Sequence, residues 1–288
     1  MKIFYWASAI VLAMALVFFV FAPAFAGKIA IPSQINIGKF GLRFYGLILA
    51  SGILIGYFIA RKFSWRFGIS KSEVDDIAFW ITIIGLIGAR IYYVVFEWDL
   101  FSHNISEVYK IWHGGLSIYG ALISGLIFIL IYGRHKAYSM YQLLDLAALS
   151  LPLAQAVGRF GNFFNQEAYG LPTNLPWKMY VDISNRPLQF KDSNFFHPAF
   201  LYEAILNCII FFILTKLLVG KVKSGVLAFT YLGLYSLGRF FIEGIRLDSS
   251  YLGGIKVDQL TAIIGVMAAG IFIFLRQGKV RGAWEAPK

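Results

Sequence analysis

The sequence predicts an all-α polytopic membrane protein, and three observations carry that prediction. Of its 288 residues, 59% are hydrophobic and only 14% are charged, where a soluble domain carries roughly 25% charged residues. Apolar stretches near the bilayer-spanning length of about 20 residues recur along the whole chain. Lys and Arg gather on alternate loops between those stretches, as the positive-inside rule requires. The formal net charge of +11 stands on no soluble basic domain. It is therefore read as membrane orientation and attraction to anionic lipid, not as nucleic-acid binding. Cys208 is the lone cysteine and lies inside "LYEAILNCIIFFIL", where it reads as lipid-facing or core filler.

Eight stretches qualify as spans: 5–26, 44–60, 77–96, 116–132, 141–157, 199–219, 226–242 and 258–275. The first has Lys2, an apolar core and then Ala24-Phe25-Ala26 before Gly27. That order fits both a signal peptide with an A-x-A cleavage site and an uncleaved first helix. The apolar stretch is long for a signal peptide, which favours the uncleaved helix. Residues 1–26 are accordingly set apart from a membrane domain over 27–288. The span 44–60 is followed by Arg61, Lys62, Arg66 and Lys71. The span 116–132 is followed by Arg134 and Lys136, and 199–219 by Lys221 and Lys223, with Lys216 near its end. The tail carries Arg276, Lys279, Arg281 and Lys288. With these loops inside, 28–43, 97–115, 158–198 and 243–257 face outward and the tail is cytoplasmic.

Some outward residues are not explained by orientation. "GRFGNFFNQEAYG" at 158–170 places Arg159, Asn162, Asn165, Gln166 and Glu167 at the outer end of an apolar span. A polar helix terminus accounts for one or two such residues, not for five beside an arginine. "GRFFIEGIR" at 238–246 spaces Arg239, Glu243 and Arg246 on one helix face, so a functional cluster or an internal ion-pair ladder both fit. "HGGLSIYGALISG" at 113–125 brings Gly114, Gly115, Gly120 and Tyr119 to the same side, where close helix packing and an interfacial aromatic are the plain alternatives. "FYG" offers Tyr45, with the same alternative. "HPAFLYE" starts a helix at Pro198 after His197 and carries Tyr202 and Glu203. A buried Glu203 needs a partner, and the arginines are candidates. Asp145 reads as a structural polar residue. Two arginines facing one polar site suit a phosphate, because each offers paired planar donors.

Together these segments resemble the bacterial prolipoprotein diacylglyceryl transferase family, from about Phe44 to Arg276, with the motifs in the family's order. The resemblance implies seven core transmembrane helices in a bacterial cytoplasmic (inner) membrane, beside the N-terminal apolar segment. It implies transfer of the diacylglyceryl group of phosphatidylglycerol to the lipobox cysteine of preprolipoproteins, with a thioether formed and glycerol phosphate released. The partners are then phosphatidylglycerol and the lipobox signal peptides. No cofactor, metal or nucleic acid is implied. Carried over to this sequence, the catalytic positions are Arg159, Arg239, Tyr45, Tyr119 and Glu167. Substrate binding falls to Arg159, Asn162, Arg239, Glu243, Arg246, Gly114, Gly115, Gly120, His197 and Glu203. Some members have His where this chain has Tyr119, which removes a histidine base at that point. Tyr45, Tyr119, His197 or a carboxylate could take the thiol proton. Arg159 and Arg239 are both expected on the lipid phosphate.

Two rivals have their own signatures. A transporter or channel for an anionic solute would place polar residues near the midplane or through the full depth. A metal-dependent phosphatidyltransferase would need a D-x-x-D-G type motif, and the sequence has none.

Overall fold

The computed structural model describes residues 20–30, 32–37, 40–220 and 222–277. Seven long helices dominate: α1 Phe44–Phe63, α2 Lys71–Phe96, α3 Ile118–His135, α4 Met140–Asn165, α5 Ala199–Val219, α6 Val226–Ile245 and α7 Val257–Gln277. They coincide with the seven core spans expected from the sequence. Six of them, all but α6, are long and apolar enough to cross a membrane among the described residues. α6 falls short because it carries Arg239 and Glu243 together with two tyrosines and three glycines. Large side chains such as Phe58, Ile131 and Phe274 stand exposed on the helices. Apolar surface of this extent is rare facing water and ordinary facing lipid. The segment expected at 5–26 lies mostly outside the described residues. Its described end forms a short helical turn, Ala22–Phe25.

Local chemistry fixes the helix ends. Ser70 and Glu73 form a reciprocal capping box at the start of α2. Pro152 inside α4 removes one backbone donor. Three two-stranded hairpins fill loops: β1 Gln34–Ile37 with β2 Phe40–Arg43, β3 Met179–Tyr180 with β4 Phe195–Phe196, and β5 Tyr251–Leu252 with β6 Ile255–Lys256. All three are antiparallel.

The chain divides into two compact units. The first comprises the described residues of Met1–Ile55, with Pro152–Ile213 and Thr230–Phe274. It gathers the N-terminal parts of α1, α5 and α7 with the C-terminal parts of α4 and α6, as an alternating topology requires. Its core is aromatic. Phe163, Tyr169, Phe196 and Phe200 are buried with Ala24, Met179 and Val181. Phe21 stacks on Phe163 at 5.2 Å between centroids and Phe25 lies at 5.5 Å from the same ring. Gly52 lets α1 approach α4, since a Cβ there would stand 2.7 Å from the Ala154 carbonyl oxygen.

The second unit comprises Gly56–Leu151, Leu214–Phe229 and the described residues of Leu275–Lys288. Within it α2 and α3 pack at glycines. A Cβ on Gly120 would stand 2.3 Å from the Gly88 carbonyl oxygen. Asp145 accepts the backbone N–H groups of Gly225 at 2.6 Å and Ala228 at 2.8 Å. A carboxylate there satisfies the open donors at the start of α6, the structural role expected for it.

Candidate active site

The first unit holds most of the polar residues singled out in the sequence. α4 ends at Asn165, and the chain then turns through Gln166 and Ala168, at φ 49° and 55°. Left-handed backbone is uncommon for residues other than glycine and needs support. The Gln166 side-chain oxygen accepts the Asp182 N–H at 2.7 Å and the Asn185 amide at 3.1 Å. Glu167 folds back over the helix end. Its Oε1 accepts Asn162 Nδ2 at 2.9 Å and Asn165 Nδ2 at 3.3 Å, and its N–H donates to the Asn162 carbonyl at 3.0 Å. Asn162 and Asn165 thereby tether an exposed carboxylate. The Tyr45 ring rests over Gly161, where a Cβ would come within 2.6 Å of it. Phe44 stacks on Phe164 beside it.

Gly170 then stitches three segments together by backbone. Its N–H donates to the His197 carbonyl at 2.9 Å, while the Leu171 N–H donates to that of Ile245 at 2.8 Å. A Cβ on Gly170 would stand 3.0 Å from both His197 Cβ and the Ile245 oxygen. The chain leaving α4, the start of α5 and the end of α6 are thus fixed against one another.

An arginine–carboxylate cluster fills this junction, with Glu203 at its centre, only 1% exposed. Glu203 Oε1 accepts Arg239 Nη1 at 2.6 Å and Arg246 Nη1 at 3.3 Å. Its Oε2 pairs with Arg159 Nη2 at 2.7 Å. Arg239 is enclosed on its other side, with Nη2 lying 2.7 Å from Glu243 Oε2 and 2.8 Å from Asp258 Oδ2. The contacts to Glu203 Oε2 and Glu243 Oε2 are close in distance but poorly angled as hydrogen bonds. They act as charge pairs more than as directed bonds. Arg239 and Glu243, one turn apart on α6, pair along their shared face. For Arg246 the main partner is Asp248, through Nε at 2.8 Å and through Nη2, while Glu243 stands 4.0 Å away. Burial alone would raise the Asp248 carboxyl, but Arg246 outweighs it and holds that group below the usual carboxylate range.

Arg159 differs from the other two arginines. Nη2 donates to the Tyr235 hydroxyl at 3.3 Å as well as pairing with Glu203. Nε and Nη1 have no protein acceptor among the described residues, and the side chain is 26% exposed. An arginine held through Nη2, with Nε and Nη1 still unbonded, can donate to an added anion without giving up a partner.

Tyr235 and Asp258 belong to this cluster but were not among the residues singled out in the sequence. Tyr235 had a signal: Tyr231, Tyr235, Arg239 and Glu243 recur every four residues and form one polar ridge on α6. Tyr231 stacks on Tyr235 and donates to Gln155 at 2.8 Å. Asp258 sits in the first turn of α7, where a lone acid reads only as helix-end chemistry.

The His197 side chain is partnered by an aromatic residue rather than by the charge cluster. Its Nδ1 is 3.0 Å from the Tyr202 hydroxyl, which accepts Trp177 Nε1 at 2.8 Å. Burial pushes the His197 imidazole below its ordinary value, so it is neutral near pH 7.

Gly114, Gly115, Gly120 and Tyr119 lie in the second unit. Gly114 and Gly115 have φ of 94° and 76°, a turn only glycine makes readily. Gly120 serves the close contact with Gly88. Tyr119 is exposed, with its ring 6.2 Å from that of Tyr92. Arg90 was also passed over, although a charge inside the apolar run of α2 is a signal in itself.

Comparison with known proteins bears on what such an arrangement does. A family model described as prolipoprotein diacylglyceryl transferase matches residues 32–275. A phosphatidylglycerol–prolipoprotein diacylglyceryl transferase of Fervidobacterium nodosum is 46% identical over 250 residues, covering 86% of each chain. The protein of that name from Synechocystis sp. is 42% identical over 255 residues, covering 85% of this chain and 90% of its own. That from Thermotoga petrophila is 42% identical over 272 residues, covering 91% and 92%.

Proposed function

As the chain belongs to the prolipoprotein diacylglyceryl transferase family, we propose that it moves the diacylglyceryl group of phosphatidylglycerol onto the lipobox cysteine of preprolipoproteins. The protein is a multi-pass membrane protein of the bacterial inner membrane. We read 27–288 as the transferase domain, with the site facing outward and the tail in the cytoplasm. The charge alternation of the loops supports that orientation.

The chemistry is a displacement at carbon. The cysteine thiolate attacks the glycerol carbon that carries the phosphate ester. A C–S bond forms, the C–O bond breaks, and the electron pair leaves on the phosphate of glycerol phosphate. The thiol proton passes to a base. The leaving phosphate gains charge as the bond breaks, so a donor that binds it more tightly than the diester lowers the barrier.

The observation that carries this reading is the unbonded donors of Arg159. Glu203 and Tyr235 hold its Nη2, and Nε and Nη1 each keep a donor that a phosphate can accept. Arg239 has three carboxylate partners. We therefore assign Arg159 to the phosphate and give Arg239 a positioning role, holding Glu203 against Arg159. Tyr45, Asn162 and Glu167 flank the same helix end and fit substrate contact. The transporter alternative is not favoured, because the arginine–carboxylate cluster gathers toward one end of its helices rather than running through their depth.

The test is direct. Purified protein, phosphatidylglycerol and a lipobox peptide are incubated and the peptide is weighed. The expected product carries the mass of a diacylglyceryl group on its cysteine, and a peptide with Ser in place of that Cys stays unmodified. Unchanged peptide mass with folded protein would overturn the reading.

A further inference from the structure

We propose that Arg90 is a positioning residue for this reaction, fixing the Gly114–Gly115 turn from which Tyr119 and α3 begin; the inference rests on the transferase reading above. Arg90 lies near the end of α2 and is 7% exposed. Among the described residues its guanidinium has no carboxylate partner. It is met instead by four backbone carbonyls. Nε donates to Val108 at 2.8 Å, Nη2 to Glu107 at 2.5 Å, and Nη1 to Gly114 at 2.6 Å and Gly115 at 2.8 Å. The Phe101 ring covers it at 5.0 Å.

A buried charge in a membrane helix is expensive unless its donors are satisfied. Here satisfaction comes from a turn that only glycines can make. With φ of 94° and 76°, Gly114 and Gly115 aim successive carbonyls at one nitrogen. A side chain on Gly115 would meet Arg90 Nη1 and the Tyr93 ring, each at 2.6 Å. The neighbours of Arg90 continue the clamp. The Ala89 carbonyl accepts the Ser117 N–H at 3.0 Å, and Gly88 lies against Gly120. Three consecutive residues of α2 thus set the position of the chain from Gly114 to Gly120. If the constraint served stability alone, lipid-compatible apolar packing would suffice. A charge that spans two ends of a loop instead fixes one geometry.

Wild type, Arg90→Lys, Gly114→Ala and the double variant are purified, and kcat and KM for phosphatidylglycerol are measured per folded molecule. Lysine keeps the charge but cannot reach four carbonyls in a plane. Arg90→Lys should lower kcat by about tenfold or more while KM moves by less than about threefold, because misplacement on the order of 1 Å costs rate. At Gly114 a Cβ meets nothing within 4 Å, so Gly114→Ala disturbs only the backbone aim. It should lower kcat in the same direction, and the double variant should be no slower than Arg90→Lys alone. A kcat near wild type in folded Arg90→Lys would overturn the proposal. Should that variant fail to fold, a kcat near wild type in Gly114→Ala would overturn it. Multiplying losses in the double variant would also do so. Wild type that yields no adduct would sink the transferase reading and this inference with it. An active wild type with unaffected variants would sink this inference alone.

Discussion

Glu203 joins Arg159 to Arg239 through a single carboxylate, with Oε2 at 2.7 Å from Arg159 and Oε1 at 2.6 Å from Arg239. The two arginines lie on different helices, α4 and α6, and Glu203 lies on a third. An inward carboxylate between like charges allows them to stay close. Buried ion pairs add little over apolar packing, but removing one partner leaves uncompensated charge.

Glu203→Gln should therefore destabilise the protein by roughly 3–5 kcal/mol. For a chain of this size that lowers the melting temperature by on the order of 10 °C. Thermal unfolding in detergent checks it. An unchanged melting temperature would mean that the three arginines find other partners.

The histidine gives a pH dependence with a defined sign. Burial lowers the folded value of His197 below its ordinary value near 6.5. The neutral form is favoured in the folded protein, so this contribution is present above about pH 6.5. It is lost as pH falls through the folded value, because the unfolded chain then binds the proton more readily. Melting curves at pH 7.5 and 5.5 should show a larger drop for wild type than for His197→Asn. Equal drops would place the acid sensitivity elsewhere.

The topology makes a prediction that needs no activity. A reporter fused after Lys288 should be cytoplasmic, and one inserted near Asn185 should be exported. An exported tail would reverse the side to which the cluster belongs.

Much of this was legible in the sequence for physical reasons. The seven core helices followed from apolar length, because lipid forces every backbone group into helices. Arg159, Glu203, Arg239 and Glu243 stood out because charge in an apolar run needs a reason. The pairing did not stand out. Nothing in the spacing of "HPAFLYE" says that Glu203 meets three arginines, or that Asp258 closes the far side of Arg239. Those are long-range contacts set by how helices meet. The i, i+3 spacing in "GRFFIEGIR" put Glu243 beside Arg246, yet the chain turns after Ile245 and Asp248 takes that place. Arg90 was legible as an anomaly, but its partners are carbonyls, which carry no sequence signal.

The central claim is that Arg159 carries the phosphate while Arg239 and Arg246 hold the site together. The most direct measurement is the initial transfer rate of Arg159→Lys at saturating phosphatidylglycerol, per folded molecule, beside Arg246→Lys. Lysine keeps the charge but offers no paired planar donors. Losing one such contact at the transition state costs on the order of 3 kcal/mol, roughly a hundredfold in rate. The account predicts a folded Arg159→Lys protein slowed by about that factor, with Arg246→Lys slowed much less. A near-normal rate for Arg159→Lys would contradict it, and the phosphate would have to be bound elsewhere.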